Sequence, residues 1–415
     1  WQRLPERLLL IVTVLMTISL PKVLPDNDAS AGSSVSRLLW TVLYLIAVVG
    51  IAIERRTALR LLRSSLPLVL LVVVAFCSTF WSETPLISAK EALGLAGTSL
   101  IALFYACRLS LRQFIETIAI ALVISAVMSA LLIAFFPDIG RQAEMNGLWE
   151  GATVHKNILG IAMVQGLITM ACIMDRSHGL LHKLEIAAMV LFAVLLAGSG
   201  SVSSMVVAAL LFFTFFLLRW SRATGSAKPA IITLLVAAAG AFGALISGFD
   251  IDQIFGALGK DPTLSGRTEL WQFALDAINL KPILGYGYDV FFNPATPTGE
   301  AAIRGLDWDV NIYYAHNGFL EATLGLGLIG LVVVVAILVI GLQRTAVMFW
   351  QGRDLASLWP LLTVIYTLFS NITEAGIARV NDINWIIFIV AYLFATDAMQ
   401  QRAAMTPAKP RRRYA

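Results

Sequence analysis

Two short runs hold the residues best suited to chemistry. His316-Asn317 closes the only long polar excursion in an otherwise apolar chain. Arg267 lies within that excursion, in the run Ser265-Gly266-Arg267-Thr268-Glu269-Leu270-Trp271. An imidazole, with an ordinary pKa near about 6.5, can accept a proton at neutral pH. A guanidinium can hold phosphate oxygens bidentately. A base and a cation placed where a lipid surface meets water point to chemistry on a lipid-linked substrate, an arrangement that transport alone does not require.

The elements that must position these residues are membrane helices. Of 415 residues, 58% are hydrophobic and 13% charged, whereas soluble domains carry about 25% charged residues. Apolar runs of spanning length occur about a dozen times, at 7–24, 37–53, 65–81, 90–107, 113–136, 157–174, 183–198, 203–219, 229–248, 318–342, 355–371 and 384–399. Hydrocarbon cannot satisfy an open backbone, so each is expected to be helical. Arg55, Arg56, Arg60, Arg63, Arg108, Arg112, Arg176, Lys183, Arg219, Arg222, Lys228, Arg344 and Arg353 then fall on one side, with Arg3, Arg7 and the Lys409–Arg413 tail. That side is cytoplasmic by the positive-inside rule, so both termini are expected inside. The first span is followed by Ala29-Ser30-Ala31, compatible with signal-peptidase cleavage, but it pairs with the second span and is read as retained. The chain begins with Trp1, which points to a trimmed start. Cys77, Cys107 and Cys172 sit in apolar runs without metal-ligand spacing and read as unpaired thiols.

The remaining chemically capable residues gather on the outer loops, where function is commonly carried. Lys90 follows Trp81-Ser82-Glu83-Thr84-Pro85, and Arg379 ends the run Asn371–Arg379. Both suit a cationic pocket, or else snorkel to headgroups. His155-Lys156-Asn157 opens one span much as His316-Asn317 opens another; it is fit to bind phosphate or sugar, or to cap its helix. Asn317 reads as a cap or as an orienter of the imidazole. Glu374 reads as a partner for Arg379 or another cation. Leu270, Trp271, Ala274 and Ile278 share a face suited to the membrane interface. Asp307-Trp308-Asp309 has a metal-binding spacing but lacks further acids nearby, so sugar contact or a solvated loop is the better reading.

These runs resemble the O-antigen ligase and lipid-linked polysaccharide polymerase superfamily of bacterial envelope proteins. The resemblance runs through Trp81-Ser82-x-x-Pro85, His155-Lys156-Asn157-x-x-Gly160, the Gly/Ser turn at 198–204, Ser265-Gly266-Arg267-Thr268-Glu269-x-Trp271, Leu284-Gly285-Tyr286-Gly287, His316–Glu321 and Leu326-Gly327-Leu328-Ile329-Gly330. It is densest between about 264 and 331. Where many relatives place a basic residue after a serine in the Gly/Ser turn, this chain has none. The resemblance implies a glycan donor on undecaprenyl diphosphate, a lipid A-core sugar hydroxyl as acceptor, His316 as general base, and Arg267 on the diphosphate. Lys90, Arg379, His155, Lys156 and Asn317 are then further substrate contacts.

The expectation is therefore an all-α, GT-C-like polytopic membrane protein of about twelve spans. Residues 1–415 form a single membrane domain, with 249–316 a periplasmic loop containing short helices between the ninth and tenth spans. It is expected to be a metal-independent O-antigen ligase of the bacterial inner membrane, with a periplasmic site, no cofactor and no nucleic-acid partner. A polymerase of O-antigen or exopolysaccharide is the near alternative. A transporter is more distant, because charged groups are rare inside the helices and the candidates lie at one end.

Overall fold

The computed structural model describes residues 3–19, 34–142, 147–174, 177–226, 267–305 and 314–405. The longer helices are α1 (Leu4–Ile18), α2 (Ser34–Ile53), α3 (Arg55–Arg63), α4 (Leu66–Cys77), α5 (Pro85–Arg108), α6 (Leu111–Phe135), α7 (Lys156–Ala171), α8 (Gly179–Ser199) and α9 (Val202–Thr224). They continue with α10 (Arg267–Leu280), α11 (Pro297–Gly305), α12 (Gly318–Gln351), α13 (Trp359–Thr373) and α14 (Ile383–Met405). Helix occupies every expected span that lies within the described residues; residues 20–24 of the first span and all of 229–248 lie outside them, as do Ala29-Ser30-Ala31, Arg176, Lys228, Ser265-Gly266, Asp307-Trp308-Asp309 and the 409–413 tail.

Against about twelve expected crossings, eight helices among the described residues are long and apolar enough to cross a membrane. The number is nine if α3 and the segment from Leu66 to Phe80, bent by 85°, make one broken span. The chain is a multi-pass membrane protein. α1 and α7 are shorter, at 15 and 16 residues.

The helix ends sort into two groups. At one end basic residues are tied to carboxylates and carbonyls. Arg108 donates to Glu6 and Glu54, each at 3.0 Å. Arg60 lies 2.7 Å from Asp397, and Arg344 donates to the Ser64 carbonyl at 2.8 Å. Arg222 donates to the Asp354 carbonyl at 2.9 Å and lies over the Phe349 ring. At the opposite end stand the starts of α7 and α12, the end of α13 and the loop leading to α14. Between them Trp359, Trp385, Phe388, Tyr392 and Phe114 fill a buried aromatic core.

Helix α12 is interrupted at Gly327, whose φ of 63° and ψ of −165° break the ladder. In an unbroken helix Leu328 and Ile329 would donate to Leu324 and Gly325. Here Leu328 donates to the Pro282 carbonyl at 2.8 Å and Ile329 to Ile283 at 3.5 Å. The freed carbonyls of Leu324 and Gly325 accept from Tyr286 at 2.8 Å and Gly287 at 3.0 Å. Buried backbone groups must be paired, and the Pro282–Gly287 strip supplies the partners the break removes. Only glycine permits this approach: a Cβ on Gly327 would lie 2.1 Å from the Ile283 oxygen.

That strip also positions α10. Its apolar face does not lie free for a membrane surface. Leu270 and Ala274 are fully buried in a second core with Tyr286, Phe291 and Leu324, and Trp271 Nε1 donates to the Ala315 carbonyl at 2.9 Å. The indole thereby holds α10 beside the residue preceding His316.

Candidate functional site

The site is assembled where α12 begins and α13 ends. Asn317 caps α12, its Oδ1 accepting from the Phe319 and Leu320 amides at 3.0 and 3.1 Å, which satisfies N–H groups left orphaned at a helix start. Its Nδ2 donates to the Ile372 carbonyl at 3.2 Å, and the Gly318 amide donates to the Glu374 carbonyl at 3.1 Å. Asn371 Oδ1 accepts from Gly376 and Ile377 at 2.7 and 2.9 Å, folding the chain after α13. These bonds lock the two helix ends together.

His316 adopts a left-handed backbone, with φ of 49°. Such a conformation is uncommon outside glycine, although histidine and asparagine tolerate it better than most residues. Nδ1 of its imidazole lies 3.4 Å from Oε2 of Glu374. The other carboxylate oxygen, Oε1, accepts from Arg267 Nη2 at 3.1 Å and from Asn157 Nδ2 at 3.0 Å. Arg267 is only 9% exposed. Glu374 is thus the hub that joins α7, α10, α12 and α13. Burial pushes its carboxyl upward, but the His316 hydrogen bond and the Arg267 charge outweigh this and hold it below the usual carboxylate range. An ionised carboxylate only accepts, so Nδ1 carries the imidazole proton and Nε2 is left as the acceptor.

His155 stands beside this group as the N-cap of α7, its Nδ1 accepting from the Asn157 amide at 3.2 Å. Burial pushes its pKa down, Glu374 pulls it up, and the charges of Lys156, His316 and Arg267 add to the depression. Lys156 is the first residue of α7.

On the other side of His316, the Tyr314 ring lies 4.2 Å from the imidazole, and Arg379 lies over that same tyrosine at 4.3 Å. Arg379 Nη1 also donates to the Ala375 carbonyl at 3.2 Å. Burial works against the guanidinium charge, but Tyr314, Asp382, Asp289 and Glu321 together secure it. Beyond Tyr314 opens a cavity of about 200 Å³ lined by Tyr288, Asp289, Tyr314, Glu321 and Arg379. Desolvation raises the Asp289 pKa, opposed by Arg379.

The structure brings together His316, Arg267, Asn317 and His155, with Lys156 adjoining and Arg379 one aromatic ring away. Lys90 does not join them: it is 65% exposed and pairs with Glu91 at 3.6 Å. The partner of Glu374 is Arg267 rather than Arg379, so one face of the guanidinium expected on a diphosphate is already engaged by a carboxylate. Sequence reasoning gave no role to Asn157, Glu321, Tyr314 or Asp289. The first two stood inside runs already singled out; Asp289 directly follows Gly287-Tyr288, and its φ of 57° gave no sequence signal.

Comparisons with known proteins follow the same residues. A family model described as O-Antigen ligase matches residues 187–335, a stretch containing Arg267, His316 and both halves of the Gly285–Gly327 contact. The chain is 29% identical over 280 residues to the exopolysaccharide production protein ExoQ of Rhizobium meliloti, covering 64% of this chain and 62% of that protein. It is 36% identical over 76 residues to a candidate polysaccharide ligase of Rickettsia felis, covering 18% and 19% of the two chains. The match therefore spans less than two thirds of either relative. On these matches the chain is similar to the O-antigen ligase and polymerase superfamily, and the family model covers residues 187–335 of its 415.

Proposed function

We propose that this protein is a membrane glycosyltransferase that moves a preassembled glycan from undecaprenyl diphosphate onto a sugar hydroxyl. The observation that carries this reading is the His316–Glu374–Arg267 arrangement at one end of the helical bundle. Nε2 of His316 takes the proton of the acceptor hydroxyl as its oxygen attacks the donor anomeric carbon. The bond from that carbon to the phosphate oxygen breaks, its electron pair leaves with the lipid diphosphate, and the anomeric centre inverts. Glu374 fixes the tautomer and stabilises the imidazolium. The unengaged nitrogens of Arg267, with Lys156 near the start of α7, offset charge developing on the leaving group. No metal is assigned to the reaction. Lys90 contacts headgroups or the lipid end of the donor. The site faces the periplasm, with the arginine-rich helix ends and both termini in the cytoplasm of a bacterial inner membrane.

The matching family supports O-antigen ligation, in which the acceptor is lipid A-core. The longer similarity is to an exopolysaccharide production protein, and it supports a second reading in which the acceptor is another lipid-linked glycan and the product a longer polymer. Reconstitution in liposomes with lipid-linked glycan, with and without lipid A-core and in the presence of chelator, separates the two. Transfer only when lipid A-core is present supports the ligase; donor extension without it supports the polymerase. Undiminished transfer by His316→Ala would remove the base from the mechanism.

A further inference from the structure

We infer that the cavity bounded by Tyr288, Asp289, Phe291, Tyr314, Glu321 and Arg379 is a subsite for one uncharged pyranose ring of the acceptor glycan. The inference rests on the glycosyltransferase reading and adds the location and chemical class of what is held beside the base.

Four observations converge on a neutral sugar rather than the diphosphate. The cavity, at about 200 Å³, has room for a single sugar ring. Its lining sets two carboxylates, Asp289 and Glu321, against the one guanidinium of Arg379, and Asp382 also acts on that guanidinium. A diphosphate entering there would meet two acidic side chains against one guanidinium. The hydrogen-bonding capacity left over includes carboxylate acceptors. Among the described residues the Asp289 carboxylate makes no hydrogen bond, and Glu321 spends one oxygen on the Ala315 amide. A carboxyl group accepts hydrogen bonds in either protonation state, so a ligand carrying several O–H groups can satisfy both. The remaining wall is largely apolar and partly aromatic, with Phe291 and Phe292 packed edge to face at 4.8 Å. Apolar walls carrying a few oriented polar groups are the usual make-up of small-ligand sites.

The backbone and the position of the cavity agree with this. Asp289 and Ala378 both line it with positive φ, of 57° and 55°, and such strained residues concentrate at binding sites. Tyr314 forms a wall of the cavity and touches the His316 ring, so a ring seated there lies one side chain from the base.

The test uses the full chain purified in detergent and saturation-transfer NMR with the methyl glycosides of glucose, galactose, mannose and N-acetylglucosamine. At least one glycoside should bind both the wild type and His316→Ala. Its affinity should fall about ten-fold or more in Asp289→Asn and Glu321→Gln, the scale of one charge-assisted hydrogen bond. Inorganic pyrophosphate should not displace it. In the transfer assay the same variants should raise the acceptor KM by about the same factor while the donor KM stays unchanged, which also reports an intact fold. Asparagine tolerates the left-handed backbone at 289. Failure of all four glycosides to bind, binding indifferent to both variants, or displacement by pyrophosphate would overturn the subsite. Glycoside binding that depends on Asp289, alongside transfer that survives His316→Ala, would retain the subsite and overturn the base mechanism instead.

Discussion

Nδ1 of His316 lies 3.4 Å from Oε2 of Glu374, and the backbones meet as well, through the Gly318 amide and the Glu374 carbonyl at 3.1 Å. The carboxylate therefore fixes both the tautomer and the position of the imidazole. Glu374→Gln retains the shape but can no longer demand a proton from Nδ1. It is predicted to lower kcat by about 10²–10⁴-fold, the range spanned by general acid–base contributions, with little change in either KM. Combined with His316→Ala it should cost no more than the worse single variant, because the two act as one unit. A double variant whose loss equals the product of the two single losses would show that Glu374 acts elsewhere.

Arg267 donates to the same carboxylate at 3.1 Å, and its charge is one of the causes that depress the Glu374 pKa. Removing it should raise that pKa, since burial is then opposed by His316 without the guanidinium. Arg267→Gln is therefore predicted to move the acid limb of the kcat–pH profile to higher pH, in addition to lowering the rate. A residue serving only to contact phosphate would lower the rate and leave the limb in place.

Much of this was legible in the sequence, for reasons that differ by residue. The helices were readable because apolar runs of spanning length have one solution in hydrocarbon. The clustering of His316, Asn317, His155 and Arg267 at one end followed from charge asymmetry and short motifs. The hub was less legible: Glu374 could be seen as a partner for a cation, but which cation depends on how α10 packs, and that is set by the Trp271–Ala315 hydrogen bond. The face of α10 was misread because Leu270 and Ala274 look the same whether they meet lipid or protein. Asp289 gave no warning at all, since its role rests on a positive φ and on the neighbouring Arg379.

Lys90 tests how far the cationic cluster extends. It is 65% exposed and paired only with its neighbour Glu91 in the described structure. Lys90→Ala is predicted to change kcat/KM by less than about three-fold, as expected for an exposed site away from special features. A loss comparable with that of Arg267→Gln would place Lys90 on the diphosphate and require the donor to reach that far.

The Gly285–Gly327 contact predicts a sharp contrast among glycines that share positive φ. A Cβ at Gly327 would lie 2.1 Å from the Ile283 oxygen, and one at Gly285 would lie 2.5 Å from the Leu324 oxygen, whereas Gly225 has nothing within 4 Å. Gly225→Ala should cost about 1 kcal/mol, from backbone conformation alone. Gly327→Ala adds a backbone collision and should cost clearly more than about 3 kcal/mol. Thermal unfolding in detergent measures both; equal shifts would mean that the strip and the broken helix separate readily.

His155 makes stability depend on pH. Its Nδ1 accepts the Asn157 amide as the cap of α7, and burial, aided by nearby cations, holds its pKa below the ordinary value. A depressed folded pKa means that the unfolded chain binds the proton first as pH falls. The contribution is therefore fully present above about pH 6.5 and is lost as pH drops through the lower folded value. Protonated Nδ1 can no longer accept, so the cap is lost with it. The Tm of the detergent-purified protein should fall between pH 7 and pH 5. His155→Ser keeps a capping oxygen but does not titrate, and should flatten that slope while leaving the Tm at pH 7 little changed. The same slope in the wild type and His155→Ser would assign the pH dependence to other groups.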